Sequence, residues 1–208
     1  QLHELGIDTE PSIVSEGKPT SSYVALYHED RRMWMAFDDM AVISDITPGH
    51  LNRLRHLVRE ADMICVDANL SSRAFQTLFR LAEQYEVPVC ADPTAALLAH
   101  RLRPYLPQLA TITPDLDEAR ALLDDEEELD GDEGISLCAR RLVQAGVDLA
   151  IITLGAGGLH YATSDESGRL PPFPVDIVDL TGAGDALTAA VAYGLLEDVS
   201  PGDVVRLG

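Results

Sequence analysis

From Thr47 onward, short apolar runs alternate with longer stretches in which apolar residues recur every three or four positions. The first pattern predicts buried strands and the second amphipathic helices. Residues 63–67, 87–91, 110–113 and 149–153 read as strands. The helices between them are read at 47–61, from Ser71 or Ser72 to about Tyr85, at 95–102, at 115–123 and at 135–144. Thr47-Pro48 supports the first of these, as a cap followed by proline at the first helical position. The acidic stretch 124–133, broken by Gly131, is expected as a solvated loop. Two more strands are expected at 158–163 and 174–178 around a turn at 165–168, and 186–196, rich in Ala and Leu, as a buried helix. This alternation predicts right-handed βαβ crossovers and an α/β fold, with a mostly parallel sheet covered by helices on both faces.

The part before Thr47 follows a different pattern. Residues 1–6 look like the end of a helix stopped by Gly6, and 7–20 is loop-like with Pro11, Gly17 and Pro19. Residues 22–28 and 33–37 read as a hairpin around the polar 29–32, and 41–44 as a third short strand. A small sheet beside an α/β core can serve as a lid, extend the main sheet at its edge, or form an interface between copies of the chain.

Composition narrows the class without naming an activity. With 46% apolar and 24% charged residues the chain is an ordinary globular sequence. Its net charge of −20, with Lys18 the only lysine against fourteen arginines, argues against binding a nucleic-acid backbone. It also raises a salt-adapted host as one explanation. No apolar run is long enough to span a bilayer. Cys65, Cys90 and Cys138 are odd in number and sit in apolar contexts, so they are read as reduced core thiols in a cytoplasmic protein. Both ends of the sequence read as cut.

The stretch that carries chemistry is Val178-Asp179-Leu180-Thr181-Gly182-Ala183-Gly184-Asp185-Ala186-Leu187. Gly182, Ala183 and Gly184 open a helix whose first N–H groups lack partners, and nearly bare backbone lets an anion approach closely. Phosphate is the usual occupant of such a place. Asp185, in the first turn, would repel a phosphate unless it had a task, and the plausible task is to take a proton from an attacking hydroxyl. The plain alternative is that Asp185 is only a helix-start residue. In sheets of the expected kind, ligands bind beyond the carboxyl ends of the strands. Successive strand ends here carry Asp67 and Asn69, Asp92, Thr113-Pro114-Asp115 with Glu118, and Thr153-Leu154-Gly155 with Gly158. Asp115 and Glu118 can hold hydrated Mg²⁺ from one face of a helix start. The same spacing makes a capping box, and spacing alone favours the cap.

Asp179-x-Thr181-Gly182-Ala183-Gly184-Asp185-Ala186 closely resembles the signature of the ribokinase-like family of carbohydrate and nucleoside kinases. The resemblance runs over nearly the whole chain. It implies one three-layer α/β/α domain over residues 1–208, incomplete at both termini, with residues 18–45 as a small β lid. It implies transfer of the γ-phosphoryl group of ATP to a sugar or nucleoside hydroxyl, with Asp185 as base and the backbone of 182–184 stabilising the group in transit. Thr153, Gly155 and Gly158 are similar to the family's nucleotide loop. Glu118 matches the family's metal-side glutamate, while Asp115 stands where asparagine is usual. Asp179 and Thr181 resemble positions that hold a monovalent cation such as K⁺. Within the family, the strings around Thr20, Asp39, Asn69 and Asp92 look most like those of pseudouridine kinases, which makes Asp39, Asn69 and Asp92 candidate substrate contacts. A flat base could be covered by Tyr23, Trp34 and Met40, although Tyr23 and Trp34 also suit a homodimer interface through the hairpin. A non-catalytic nucleotide- or sugar-binding protein on the same fold is the alternative. No P-loop string and no dinucleotide turn after a first strand occur.

Overall fold

A computed structural model describes residues 2–28, 33–124, 131–176 and 181–207. The chain forms two compact units, Gln1–Leu57 with Asn69–Leu78, and Val58–Ala68 with Phe79–Gly208.

In the first unit, a 3-10 turn at His3–Leu5 ends at Gly6, whose left-handed backbone (φ 77°) supplies the expected stop. Strands β1 (Ser22–Tyr27) and β2 (Met33–Asp39) pair antiparallel from Ser22 opposite Asp39, with an irregularity between Leu26 and Tyr27. The expected hairpin is therefore present. Tyr23, Val24, Trp34 and Phe37 on it are all more than half exposed. The third strand expected at 41–44 is instead a 3-10 helix, Ala41–Asp45. Its final residue, Asp45, pairs with Lys18 and accepts from Ser15, and Ser44 Oγ donates to the Ala41 carbonyl at 2.7 Å. The local Ser44 bond and the distant ones to Asp45 together favour the turn over an extended strand. Helix α1 (Pro48–Arg53) starts at the Thr47 cap, whose hydroxyl accepts from the His50 N–H at 3.2 Å. The single helix expected to 61 is broken at Leu54 (φ −91°, ψ 12°), and α2 (Arg55–Glu60) follows.

The second unit holds a six-stranded sheet in sequence order: β3 (Ile64–Asp67), β4 (Val89–Asp92), β5 (Thr111–Ile112), β6 (Leu149–Thr153), β7 (Leu159–Ala162) and β8 (Ser167–Leu170). β3 to β6 run parallel, and β7 and β8 turn back antiparallel. The helices along this part of the chain are α3 (Ser72–Tyr85), of which 72–78 belong to the first unit, α4 (Ala96–Ala99), α5 (Leu116–Leu123) and α6 (Gly131–Gln144), with α7 (Ala183–Leu196) and α8 (Pro201–Val204) after the sheet. β6 is buried on both faces, as its unbroken Leu-Ala-Ile-Ile run requires of a central parallel strand. Leu149 and Ile151 on one face pack with Leu187 and Val191 of α7 and with Val204 and Val205. Ile135, Cys138, Ala139 and Leu142 form the buried stripe of α6.

Several sequence expectations are corrected in this unit. The helix read at 95–102 stops at Ala99, and a 3-10 segment, Arg103–Gln108, follows; Pro104 and Pro107 forbid a regular α-helix there. α6 begins at Gly131, so the end of the acidic stretch is helical, while 125–130 lie outside the described residues. The partner of β7 is 167–170, so the last two residues of the turn expected at 165–168 are strand. Residues 174–176 form no strand, and 177–178 lie outside the described residues. Cys90 and Cys138 are buried as expected, but Cys65 is exposed. Among the described residues, no helix is long and apolar enough to cross a membrane.

Candidate active site

Parallel strands deliver their C-terminal ends to one edge, and this edge holds a hollow of about 350 Å³. Asp67 and Asp92 are the last residues of β3 and β4 and lie in register beside each other. Beyond β5, Thr113 and Asp115 reach the hollow, and Asp115 makes a parallel bridge with Thr153 at the end of β6. The Thr153 N–H donates to the Pro114 carbonyl at 2.9 Å, which fixes this contact. Gly182, Gly184 and Asp185 complete the wall from the start of α7.

Gly182 adopts a left-handed conformation (φ 84°) as the residue before α7, and its carbonyl accepts the first helical bond, from the Ala186 N–H at 2.9 Å. The N–H groups of Ala183, Gly184 and Asp185 thus precede the helical ladder, as every helix start requires. A Cβ on Gly184 would stand 4.0 Å from Asp92 Oδ2, and one on Gly182 4.0 Å from Asp185 Oδ2. Side chains at these two positions would fill the hollow, and glycine keeps it open. Thr113 Oγ1 and Thr188 Oγ1 lie 2.7 Å apart and tie the end of β5 to α7. Thr188 has no signal in the sequence, because a single Thr–Thr contact across 75 positions leaves no local pattern.

The electrostatics are those of crowded carboxylates. Burial, and then the charges of Asp185, Asp67 and Asp115, raise the Asp92 carboxyl above its usual range, against the pull of the Thr94 N–H. That N–H donates to Asp92 Oδ1 at 2.7 Å. Thr94 itself has φ 65°, a costly place for a β-branched residue, and its hydroxyl accepts from the Ala68 N–H at 3.2 Å. Strain is thereby spent on aiming Asp92. The string Asp92-Pro93-Thr94 was the only sign of this in the sequence.

Asp115 and Glu118 form the reciprocal capping box: each side chain accepts from the other's N–H at 2.8 Å. Glu118 is nonetheless part of the wall of the hollow. Burial, followed by the charges of Asp115, Asp92 and Asp117, pushes its carboxyl up to about 7. The folded protein therefore holds this proton more tightly than the unfolded chain does. Stability of the ligand-free protein is expected to fall as pH rises from the ordinary glutamate value of 4.5 to about 7, and then to level off. Glu118→Gln keeps a side chain able to serve in the box and removes the charge. Its melting temperature at pH 8 should exceed that of the parent, with a flatter profile between pH 4.5 and 7. Thermal melts without nucleotide or divalent ion check this, and a lower melting point at pH 8 would refute the charge account.

The donor set fits a hard cation. Carboxylates repelling one another around a hollow are relieved by a divalent ion, and oxygen ligands suit Mg²⁺. Among the described residues, no three His, Cys, Asp or Glu side chains converge to hold a metal ion by themselves. Such an ion would take most of its shell from water and phosphate, which is how Mg²⁺ is commonly held. Asp115 and Glu118 border the hollow and would be the residues to hold such an ion's water shell. Asp179 lies outside the described residues, and Thr181 stands just before α7.

The remaining predicted residues fall elsewhere. Thr153 is on the wall, but Gly155 and Gly158 shape the turn beyond it, a 3-10 segment closed by Gly158 at φ 87°. Asp39 ends β2 in the first unit, where Oδ1 accepts from the Ala41 N–H at 3.1 Å. Asn69, also in the first unit, is half-buried after β3.

Comparison with known proteins agrees with this geometry. The family model "pfkB family carbohydrate kinase" matches residues 1–208. The chain is 30% identical to the pseudouridine kinase of Escherichia coli over 207 residues, covering 99% of this chain and 65% of that protein. Among solved structures, a carbohydrate kinase from Agrobacterium tumefaciens is similar at a TM-score of 0.73 and 26% identity, over 92% of this chain and 60% of its own. The ribokinase of Thermotoga maritima shares the fold at a TM-score of 0.74 and 22% identity, over 90% of this chain and 60% of its own. The chain thus spans just under two thirds of the length of these relatives. A parallel sheet with an acid-lined hollow at its strand ends, a glycine-opened helix carrying Asp185, and a family match from the first residue to the last have one reading: the chain belongs to the pfkB family of carbohydrate kinases.

Proposed function

We propose that the protein transfers the γ-phosphoryl group of ATP to a hydroxyl of a small sugar or nucleoside, and that the acceptor is the 5′-hydroxyl of pseudouridine. The observation that carries the kinase reading is the placing of the Asp185 carboxylate on the wall of the hollow, beside the open start of α7. Asp185 accepts the proton of the acceptor hydroxyl as it attacks. The N–H groups of Ala183, Gly184 and Asp185 hold the oxygens of the group in transit, where fixed donors in a dry site stabilise developing charge. ATP is the phosphoryl donor, and a bound Mg²⁺ would supply neutralisation of its charge. Asp115 and Glu118 would hold the ion's water shell, and Thr153 would lie along the nucleotide side. A K⁺ ion near Asp179 and Thr181 belongs to the same reading. The pseudouridine reading rests on the 30% identity to the Escherichia coli enzyme and on the strings containing Asp39, Asn69 and Asp92.

ATP consumption by the full protein, measured with pseudouridine, uridine, adenosine, ribose and fructose 6-phosphate, tests both levels. The highest kcat/KM is expected with pseudouridine. Preference for a free sugar or sugar phosphate would overturn the nucleoside assignment and leave the kinase class. Nucleotide binding without turnover on any acceptor would favour a binding protein.

A further inference from the structure

Between α6 and the β7–β8 hairpin lies a second hollow, of about 490 Å³, that shares no lining residue with the acid-lined one. His160 is part of its wall and is only 4% exposed, and its Nε2 is buried with no hydrogen-bond partner. The nearest opposite charge is Asp132 Oδ1 at 3.6 Å, beyond hydrogen-bond length. A buried nitrogen left like this is costly, and a ligand oxygen in the hollow would satisfy it.

The walls bring cations to the same place. Arg140 of α6 donates to Ser167 Oγ at 2.9 Å, and Arg169 of β8 donates to Asp132 Oδ2 at 2.6 Å. A guanidinium has five N–H donors, so each arginine keeps donors beyond the contact that positions it. Asp132 is matched by Arg169, and Glu133 also borders the hollow. In a chain of net charge −20, Arg140 and Arg169 offset Asp132 and Glu133, so this hollow is locally close to neutral.

We propose that this hollow binds a phosphate group, held by Arg140, Arg169 and His160, at a place separate from the phosphoryl-transfer site. The three donors come from three elements, α6, β8 and β7, which suits a tetrahedral group with several acceptor oxygens better than a planar carboxylate. Burial holds His160 below its usual range, with Asp132 pulling it up and Arg169 pushing it down. A bound dianion favours the protonated ring, so binding takes up a proton and is tighter at pH 6 than at pH 8. The charged groups facing the ring are Asp132, Glu133 and Arg140 from α6 and Arg169 from β8.

The test titrates the full chain with inorganic phosphate, without nucleotide or divalent ion, while NMR follows the His160 ring, assigned by its loss in His160→Gln. The ring signal is expected to shift saturably and its titration midpoint to rise. Arg140→Gln and Arg169→Gln should each weaken phosphate binding by about tenfold. A parallel titration with ribose 5-phosphate separates the sources. Tighter binding than inorganic phosphate assigns the site to a phosphate monoester, and equal binding assigns it to free phosphate. If His160→Gln does not fold, the backbone signals of Ser136 and Gly168 carry the same reading. A ring signal that does not move, one that moves equally in the double arginine variant, or shifts confined to Gly182–Asp185 would overturn the proposal.

Discussion

Under the proposed kinase function, Asp185→Asn is expected to slow phosphoryl transfer by about 100- to 10,000-fold, the range over which a positioned general base acts. Asparagine has nearly the shape of aspartate and suits a helix start, so α7 should keep its place and the Gly182–Gly184 opening should survive. What disappears is the one wall carboxylate carried in the first turn of α7. Nucleotide affinity should hold or improve, because a negative charge beside the triphosphate has gone. A second readout is independent of turnover. Asp185 is the largest of the charges that raise Asp92, so the Asp92 carboxyl should move back toward its usual range in the variant. Single-turnover kinetics and a nucleotide titration separate the two effects. Near-parental turnover would remove the base assignment. Equal loss of turnover and nucleotide binding would place Asp185 in binding instead.

Gly158→Ala should destabilise the fold by about 3 kcal/mol or more, combining backbone strain of order 1–3 kcal/mol with overpacking. Gly158 has φ 87° and ψ −139°, a region that residues with a Cβ rarely enter. The added Cβ would lie 2.1 Å from the Leu170 carbonyl oxygen and 2.9 Å from the Pro172 nitrogen. Neither is the end of a flexible side chain, so the end of β8 must move and the Leu159–Leu170 pairing is strained. At about 2–4 °C per kcal/mol for a chain of this size, the melting temperature should fall by roughly 6–12 °C. Gly155→Ala is the control. Its backbone is also left-handed (φ 53°), but nothing lies within 4 Å of its Cβ position. A loss at Gly158 no larger than at Gly155 would dismiss the close approach to Leu170.

These two residues also mark how far the sequence could be read. Asp185 was legible because a glycine turn, a helix start and a carboxylate are contiguous, and local contiguity leaves a pattern. The strands β3 to β6 were legible for the same reason, as apolar runs bounded by turn residues. Gly158 was assigned to the nucleotide side on its string, whereas its close neighbours are the Leu170 carbonyl and the prolines after it, which no string reveals. The 3-10 helix at Ala41–Asp45 reads as a strand in the sequence because Ala41, Val42 and Ile43 form a short apolar run, and the bonds to Lys18 and Ser15 that settle it come from more than 25 positions away. Leu54 looks like any helical leucine, and only its backbone angles record the break between α1 and α2. The Asp115–Glu118 pair carried two meanings in the sequence, cap or metal side. The structure realises the cap while keeping Glu118 on the wall, so the first meaning does not exclude the second.

The acid-lined hollow draws its wall from Asp67 at one extreme and Asp185 at the other, with residues at or just beyond the ends of β4, β5 and β6 contributing between them. On the ribosome those 118 positions (185 minus 67) take about 6–24 s to make at 5–20 residues per second. During that interval Asp67, Asp92 and Asp115 are already synthesised, while the turn that opens α7 does not yet exist. The nascent chain therefore carries its cluster of like charges before the segment that completes the wall around them. Binding competence should arrive late and abruptly in synthesis, with the emergence of α7, rather than growing strand by strand.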